Sequence, residues 1–123
     1  MNDATILMRQ VHPQFYPNNQ LSSQAFFPFP KDEGRLSVYN GDMISAKKAY
    51  DDFTKRLGFQ SIGVWGVSCA EVKQEKLVSQ PDPLKDFPSH AVICFNSEDK
   101  KYLRKMAKLL KAHAEERGYL YLV

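Results

Sequence analysis

The sequence predicts one α+β domain over residues 1–123, with a mixed sheet of about five strands, two main helices packed on one face, and a long proline-rich N-terminal loop. Three observations carry that prediction. The 123 residues fit one hydrophobic core, and halving them would leave each piece near the size at which a core fails. Two segments repeat apolar residues at three- and four-residue steps, as helices do. Several others are short, apolar and bounded by proline, glycine or asparagine, as strands are.

Thr5–Val11 reads as the first strand, ended by Pro13, which cannot donate to a ladder. Residues 12–34 hold Pro13, Pro17, Pro28 and Pro30, so they form an irregular segment with at most a short extended piece at Gln24–Phe27. Its five aromatic side chains (Phe15, Tyr16, Phe26, Phe27 and Phe29) predict that it packs onto the body. Arg35–Tyr39 is a second strand, turned by Asn40-Gly41. Ser45 caps a helix that runs to Leu57 and stops at Gly58.

Ser61–Cys69 is apolar on both parities, as a central strand covered on both faces would be, and Trp65 in it is core. This strand–helix–strand order allows one right-handed parallel crossover. Ser68-x-x-Glu71 has capping-box spacing and predicts a short helical turn near 70–76. After a loop rich in proline (Pro81, Pro83, Pro88), His90–Phe95 is another buried strand. Ser97 caps the longest helix, Glu98–Arg117, stopped by Gly118, and Tyr119–Val123 suits a last strand.

Composition excludes several classes. With 43% hydrophobic residues the chain is far too apolar for disorder. No apolar run reaches the ~20 residues of a membrane span. The start, Met1-Asn2-Asp3-Ala4, lacks the basic and apolar stretches of a signal peptide, so a soluble cytoplasmic protein is expected. Cys69 and Cys94 sit in apolar surroundings and are expected reduced and buried. His12, His90 and His113 are far apart and no CxxC occurs, so neither a metal nor a cofactor is expected.

The most patterned stretches are Arg9-Gln10-Val11-His12-Pro13, Ser23-Gln24-Ala25-Phe26 and Lys31-Asp32-Glu33-Gly34-Arg35-Leu36-Ser37-Val38-Tyr39-Asn40-Gly41-Asp42. With these phrases (RQxHP, SQAFxP, KDExxLSxYxGD) and a proline-rich turn before a His-containing strand, the chain resembles a group of short, stand-alone bacterial proteins. The resemblance extends through Phe95. It implies a self-contained unit and brings no activity, cofactor or catalytic residue with it.

The chemistry of those stretches is suggestive by itself. Arg9, Lys31 and Arg35 are cationic donors, His12 carries a proton near neutral pH, Ser23 and Ser37 offer hydroxyls, and Asp32 a carboxylate. Were the first two strands neighbours, Arg9, His12, Ser23, Lys31, Asp32 and Arg35 would form one ligand or partner surface suited to an anion. A purely structural use of Arg9, Asp32 and Ser37, in ion pairs and caps, is the alternative. Were the protein an enzyme, Arg9, His12, Asp32, Ser37 and His90 would carry it, although no nucleophile elbow is present. Arg9, Tyr39 and Glu71 also resemble, in order and type, the site residues of ADP-ribosyl-type folds.

The second feature is electrostatic. Residues 98–117 carry seven basic against four acidic side chains, which matches the +3 of the whole chain. Lys101, Arg104, Lys105, Lys108 and Lys111 share one face, opposite Leu103, Met106, Leu110 and Ala114. Such a row can lie along phosphates or meet an acidic partner, without reading a DNA sequence.

The expected function is therefore a small cytoplasmic binding or regulatory protein of the kind found with bacterial toxin, immunity or defence systems. Its partner is expected to be another protein, with no membrane involved. One alternative is an enzyme acting on a phosphate-bearing substrate, nucleotide or RNA. The other is non-specific nucleic-acid binding through the basic helix 98–117.

Overall fold

The computed structural model describes residues 1–123. A six-stranded sheet forms the middle layer, with strands β1 (Ile6–Val11), β2 (Arg35–Asn40), β3 (Gly63–Ser68), β4 (Val78–Pro81), β5 (His90–Cys94) and β6 (Tyr121–Leu122). Their spatial order is β4-β5-β2-β1-β3-β6. Every neighbouring pair is antiparallel, so the sheet is not mixed as expected. The expected crossover between residues 35 and 69 nevertheless forms: β2 and β3 both run antiparallel to β1 and therefore parallel to each other, and the connection through α1 passes over β1, which lies between them. The short β4 is not among the expected strands, and it ends at Pro81, where the expected proline-rich loop begins.

Side-chain parity divides the sheet cleanly. Leu7, Val11, Leu36, Val38, Trp65, Val67, Ala91 and Ile93 face one side, where Leu103, Met106, Ala107, Leu110 and Ala114 of helix α3 (Lys100–Arg117) complete a core of 20 buried residues. Met8, Tyr39 and Val64 face the other side, where they meet Ala49 of helix α1 (Ala46–Asp51) in a cluster of 4. The two main helices thus lie on opposite faces, not on one. Strand β3 is buried at every position, as its unbroken apolar run requires. Gly66 in it has no room for a side chain: a Cβ would stand 2.6 Å from Ile6 Cγ2 and 2.8 Å from Leu120 Cδ1.

Local signals set the helix ends. Ser68 and Glu71 make the reciprocal capping box that starts α2 (Cys69–Gln74). Helix α1 begins at Ser45, whose hydroxyl accepts from Lys48 N–H, and its last turn widens into a π-helical turn over Asp52–Arg56. Asp99 rather than Ser97 caps α3, and Gly118 ends it at φ 86°.

The proline-rich segment is ordered as four 3-10 turns: Pro13–Phe15, Pro17–Asn19, Ser23–Phe26 and Pro30–Asp32. The extended piece expected at Gln24–Phe27 is helical instead, because Ser22 caps it by accepting from Gln24 N–H. Phe26 is fully buried and belongs with Ala25 and Leu21 to the core beneath α3. Both cysteines are free and buried. No helix is long and apolar enough to cross a membrane.

Candidate functional site

The sheet is unevenly laced. Strands β1 and β3 pair at six positions and β2 with β5 at five, yet β1 and β2 pair only at Leu7↔Asn40 and Met8↔Tyr39. Beyond Met8 the two central strands part. Arg9 fills the gap: its Nε donates to the Ala25 carbonyl at 2.8 Å and its Nη1 to the Ser37 carbonyl at 2.9 Å. A side chain from β1 thereby satisfies a β2 carbonyl that a regular ladder would occupy. Burial pulls the Arg9 pKa down to about 10, against the raising influence of Asp32. That is still well above neutrality, so the charge persists.

A cleft of about 630 Å³ lies over this opening. Met8, Gln10, Ser37, Tyr39 and His90 form its floor on the α1 face of the sheet. Phe53, Leu57 and Phe59, at and just beyond the π-helical turn, supply one wall, and Leu84 and Phe87 of the β4–β5 loop another. Arg9, His12, Phe15, Phe29, Lys31 and Asp32 line the end where β1 and β2 separate. Phe29, Phe59 and Leu84 each leave about half of their surface exposed at the rim (49%, 57% and 47%).

Individual groups in the cleft are held in defined states. His12 Nδ1 accepts from Gln14 N–H at 3.0 Å, which places the proton of the neutral ring on Nε2. His90 is oriented the other way, with Nδ1 2.9 Å from the Asp82 carbonyl and 3.2 Å from its carboxylate, so Nε2 is the free acceptor. Burial, with the nearby Asp52 carboxylate, pushes Tyr39 up to about 12 and keeps its hydroxyl protonated. Gln10 is 8% exposed: its Oε1 accepts from the Ser61 hydroxyl at 2.8 Å, while Nε2 is buried without a partner.

The structure brings together most of the residues singled out in the sequence. Arg9, His12, Lys31, Asp32, Ser37 and His90 all line the one cleft. Ser23 and Arg35 do not: Ser23 is half-buried in its 3-10 turn, and Arg35 is exposed at the start of β2, opposite Cys94. Burial raises the Cys94 pKa despite that arginine. Two of the five Arg9 N–H donors are held by main-chain carbonyls, which fixes the guanidinium between the strands. Ser37 makes no hydrogen bond to His90, which sits opposite Tyr39 in the ladder.

Glu71, set beside Arg9 and Tyr39 in the ADP-ribosyl comparison, stands elsewhere, under α3. Arg117 binds it through both nitrogens at 2.8 and 3.2 Å, and His113 lies 3.6 Å away. Burial works to raise the Glu71 pKa, but Arg117 and the Ser68 N–H outweigh it and the net shift is downward. On the basic row of α3, Lys101, Arg104, Lys105 and Lys108 are exposed, whereas Lys111 is paired with Glu115 at 2.9 Å.

Sequence reasoning missed Gln10, Asp82 and the aromatic walls. Gln10 had a signal, being the one uncharged polar residue in the apolar run from Ile6 to Val11. Phe59 and Phe87 had none, since only the fold carries those two loops to the same place. No group of three or more His, Cys, Asp or Glu side chains is placed to hold a metal ion. No family model, no curated protein and no solved structure matches the chain.

Proposed function

We propose that the protein is a small cytoplasmic binding or regulatory protein that works by taking a ligand into the cleft where β1 and β2 part. The observation that supports this reading is the cleft itself: about 630 Å³, largely apolar in its walls, with a few polar groups converging at one end. The Arg9 wedge keeps the strands apart without a ligand. A bacterial toxin, immunity or defence setting fits a module of this small size, with no catalytic signature, that recognises rather than transforms. Binding is favoured over catalysis because no nucleophile hydrogen-bonds the His90–Asp82 pair and because Arg9 is committed to the backbone.

The test is a fragment screen followed by amide and methyl NMR shifts. Fragments that bind should move Met8, Gln10, Tyr39, Phe59 and Phe87 together. Binders that cluster instead on α3, or no binder at millimolar concentration, would defeat the reading.

A second reading rests on α3, where Lys101, Arg104, Lys105 and Lys108 stand exposed without ion pairs. This row suits an acidic surface or a phosphate backbone. Its signature is binding that falls steeply with salt and disappears when the four charges are reversed.

A further inference from the structure

The cleft is polar at one end and apolar at the other, and on the reading above that asymmetry selects its ligand. At the polar end, Gln10 holds an amide that is half used: Oε1 takes the Ser61 proton and Nε2 has no partner. A buried donor left unpaired destabilises a fold, so an amide kept this way calls for an acceptor from outside the chain. The surrounding groups have the same sense. His12 presents Nε2–H, Lys31 carries an ammonium with no ion pair, and Arg9 adds a half-buried charge. Asp32 is the single acid among them.

The two walls beyond that end hold Phe53 and Phe59 on one and Leu84 and Phe87 on the other, with the Arg56 guanidinium stacked on Phe87, its Cζ 4.0 Å from the ring centre. His90 lies two strands from Gln10 and one pleat along, about 12 Å away by sheet spacing. That is the length of a ten-carbon chain or a fused aromatic ring with a short arm.

We infer that the cleft binds an organic acid with an apolar or aromatic body, its carboxylate at Gln10, His12 and Lys31 and its body against Phe53, Phe59 and Phe87. The carboxylate completes the unpaired Gln10 amide and balances the excess positive charge. The body covers the aromatic rim, which otherwise faces water.

Two matched pairs of probes test this: decanoate against decanol, and 2-naphthoate against 2-naphthol, by calorimetry and by the side-chain amide resonance of Gln10. The acids should bind one to one and about tenfold more tightly than the alcohols, and should shift the Gln10 Nε2 resonance. Gln10→Met should remove most of that preference while leaving the melting temperature nearly unchanged, since Ser61 retains the Gly63 carbonyl at 2.9 Å as acceptor. Lys31→Ala should weaken the acids and leave the alcohols unaffected. Alcohols binding in the cleft as tightly as the acids would overturn the carboxylate assignment and leave the binding reading standing. Failure of all four probes, with other fragments still mapping to the cleft, would overturn the ligand class alone. Failure of probes and fragments together would overturn both.

Discussion

The two faces of the sheet are built from the same six strands and serve opposite ends. Under α3, a helix of 18 residues lays one continuous apolar stripe across the strands, and the Ser23–Phe26 turn fills the remaining corner with Phe26 and Ala25. Twenty buried residues meet there. On the other face, α1 is 6 residues long and turns away through a π-helical widening, so it packs on β3 and β6 and leaves β2, β5 and the Gln10 end of β1 open toward the cleft. The lesson is that one strand set can carry a closed core on one side and an open cleft on the other when one covering helix is long and the other short. The closed face supplies burial, and the open face can then tolerate a parted ladder, a half-used amide and exposed aromatic rings.

That contrast is broken most severely at Trp65. It projects into the closed face, is 4% exposed and stacks on Tyr16 with ring centres 5.1 Å apart. Trp65→Ala should cost about 3–5 kcal/mol in urea unfolding, and a loss below about 1 kcal/mol would mean that the closed face does not carry stability.

Arg9 lies on the boundary between the two regimes. Arg9→Met should cost about 2–3 kcal/mol, because the Ala25 and Ser37 carbonyls lose charged donors in a half-buried site. It should also let β1 and β2 move, visible as faster amide exchange at Ser37 and Val38 than in the wild type. Unchanged exchange would show that the guanidinium does not organise the opening.

Glu71 sharpens the comparison through pH. Its carboxyl is depressed in the folded state, so its stabilising contribution is complete above the unfolded value near ~4.3 and is lost as pH falls through the folded value. Glu71→Gln keeps the capping box, since a glutamine Oε1 can still accept from Ser68 N–H, but removes the charged pair with Arg117, and should cost about 1–2 kcal/mol at pH 7. The same comparison at about pH 3 should show a much smaller difference. An equal loss at both pH values would mean that charge plays no part in joining α2 to α3.

The smallest effect is expected at the rim. Phe59 is 57% exposed beside the cleft, so Phe59→Ser should change stability by less than about 0.5 kcal/mol while removing one wall against which fragments bind. Equilibrium unfolding with the fragment screen repeated on the variant checks both halves of that statement.

Much of this architecture was legible in the chain because it is written locally. Ser68 and Glu71 are three residues apart and cap their helix by themselves. Gly118 stops α3 because it adopts φ 86° without strain. The apolar run from Gly63 to Ser68 marks a strand covered on both sides whatever its neighbours are. The convergence of Arg9, His12, Lys31, Asp32 and Ser37 was legible too, since it needs only that the first two strands be neighbours.

Which strand lies beside which, and on which face each helix lands, depends on contacts between residues far apart in sequence, and no local pattern encodes them. The strand–helix–strand order of residues 35–69 marks a crossover between parallel strands, but only the fold places β1 between β2 and β3, which makes every neighbouring pair antiparallel and puts α1 on the face opposite α3. Asp82 reaches His90 only because the β4–β5 hairpin folds back, and Phe59 and Phe87 line one cleft only because two loops border the same floor. Residue type and spacing therefore determined the elements, their ends and a set of candidate polar groups. Tertiary structure alone decided that Arg9 would serve the backbone, that Gln10 would be left with an unpaired amide, and that aromatic side chains from separate loops would wall the other end of the cleft.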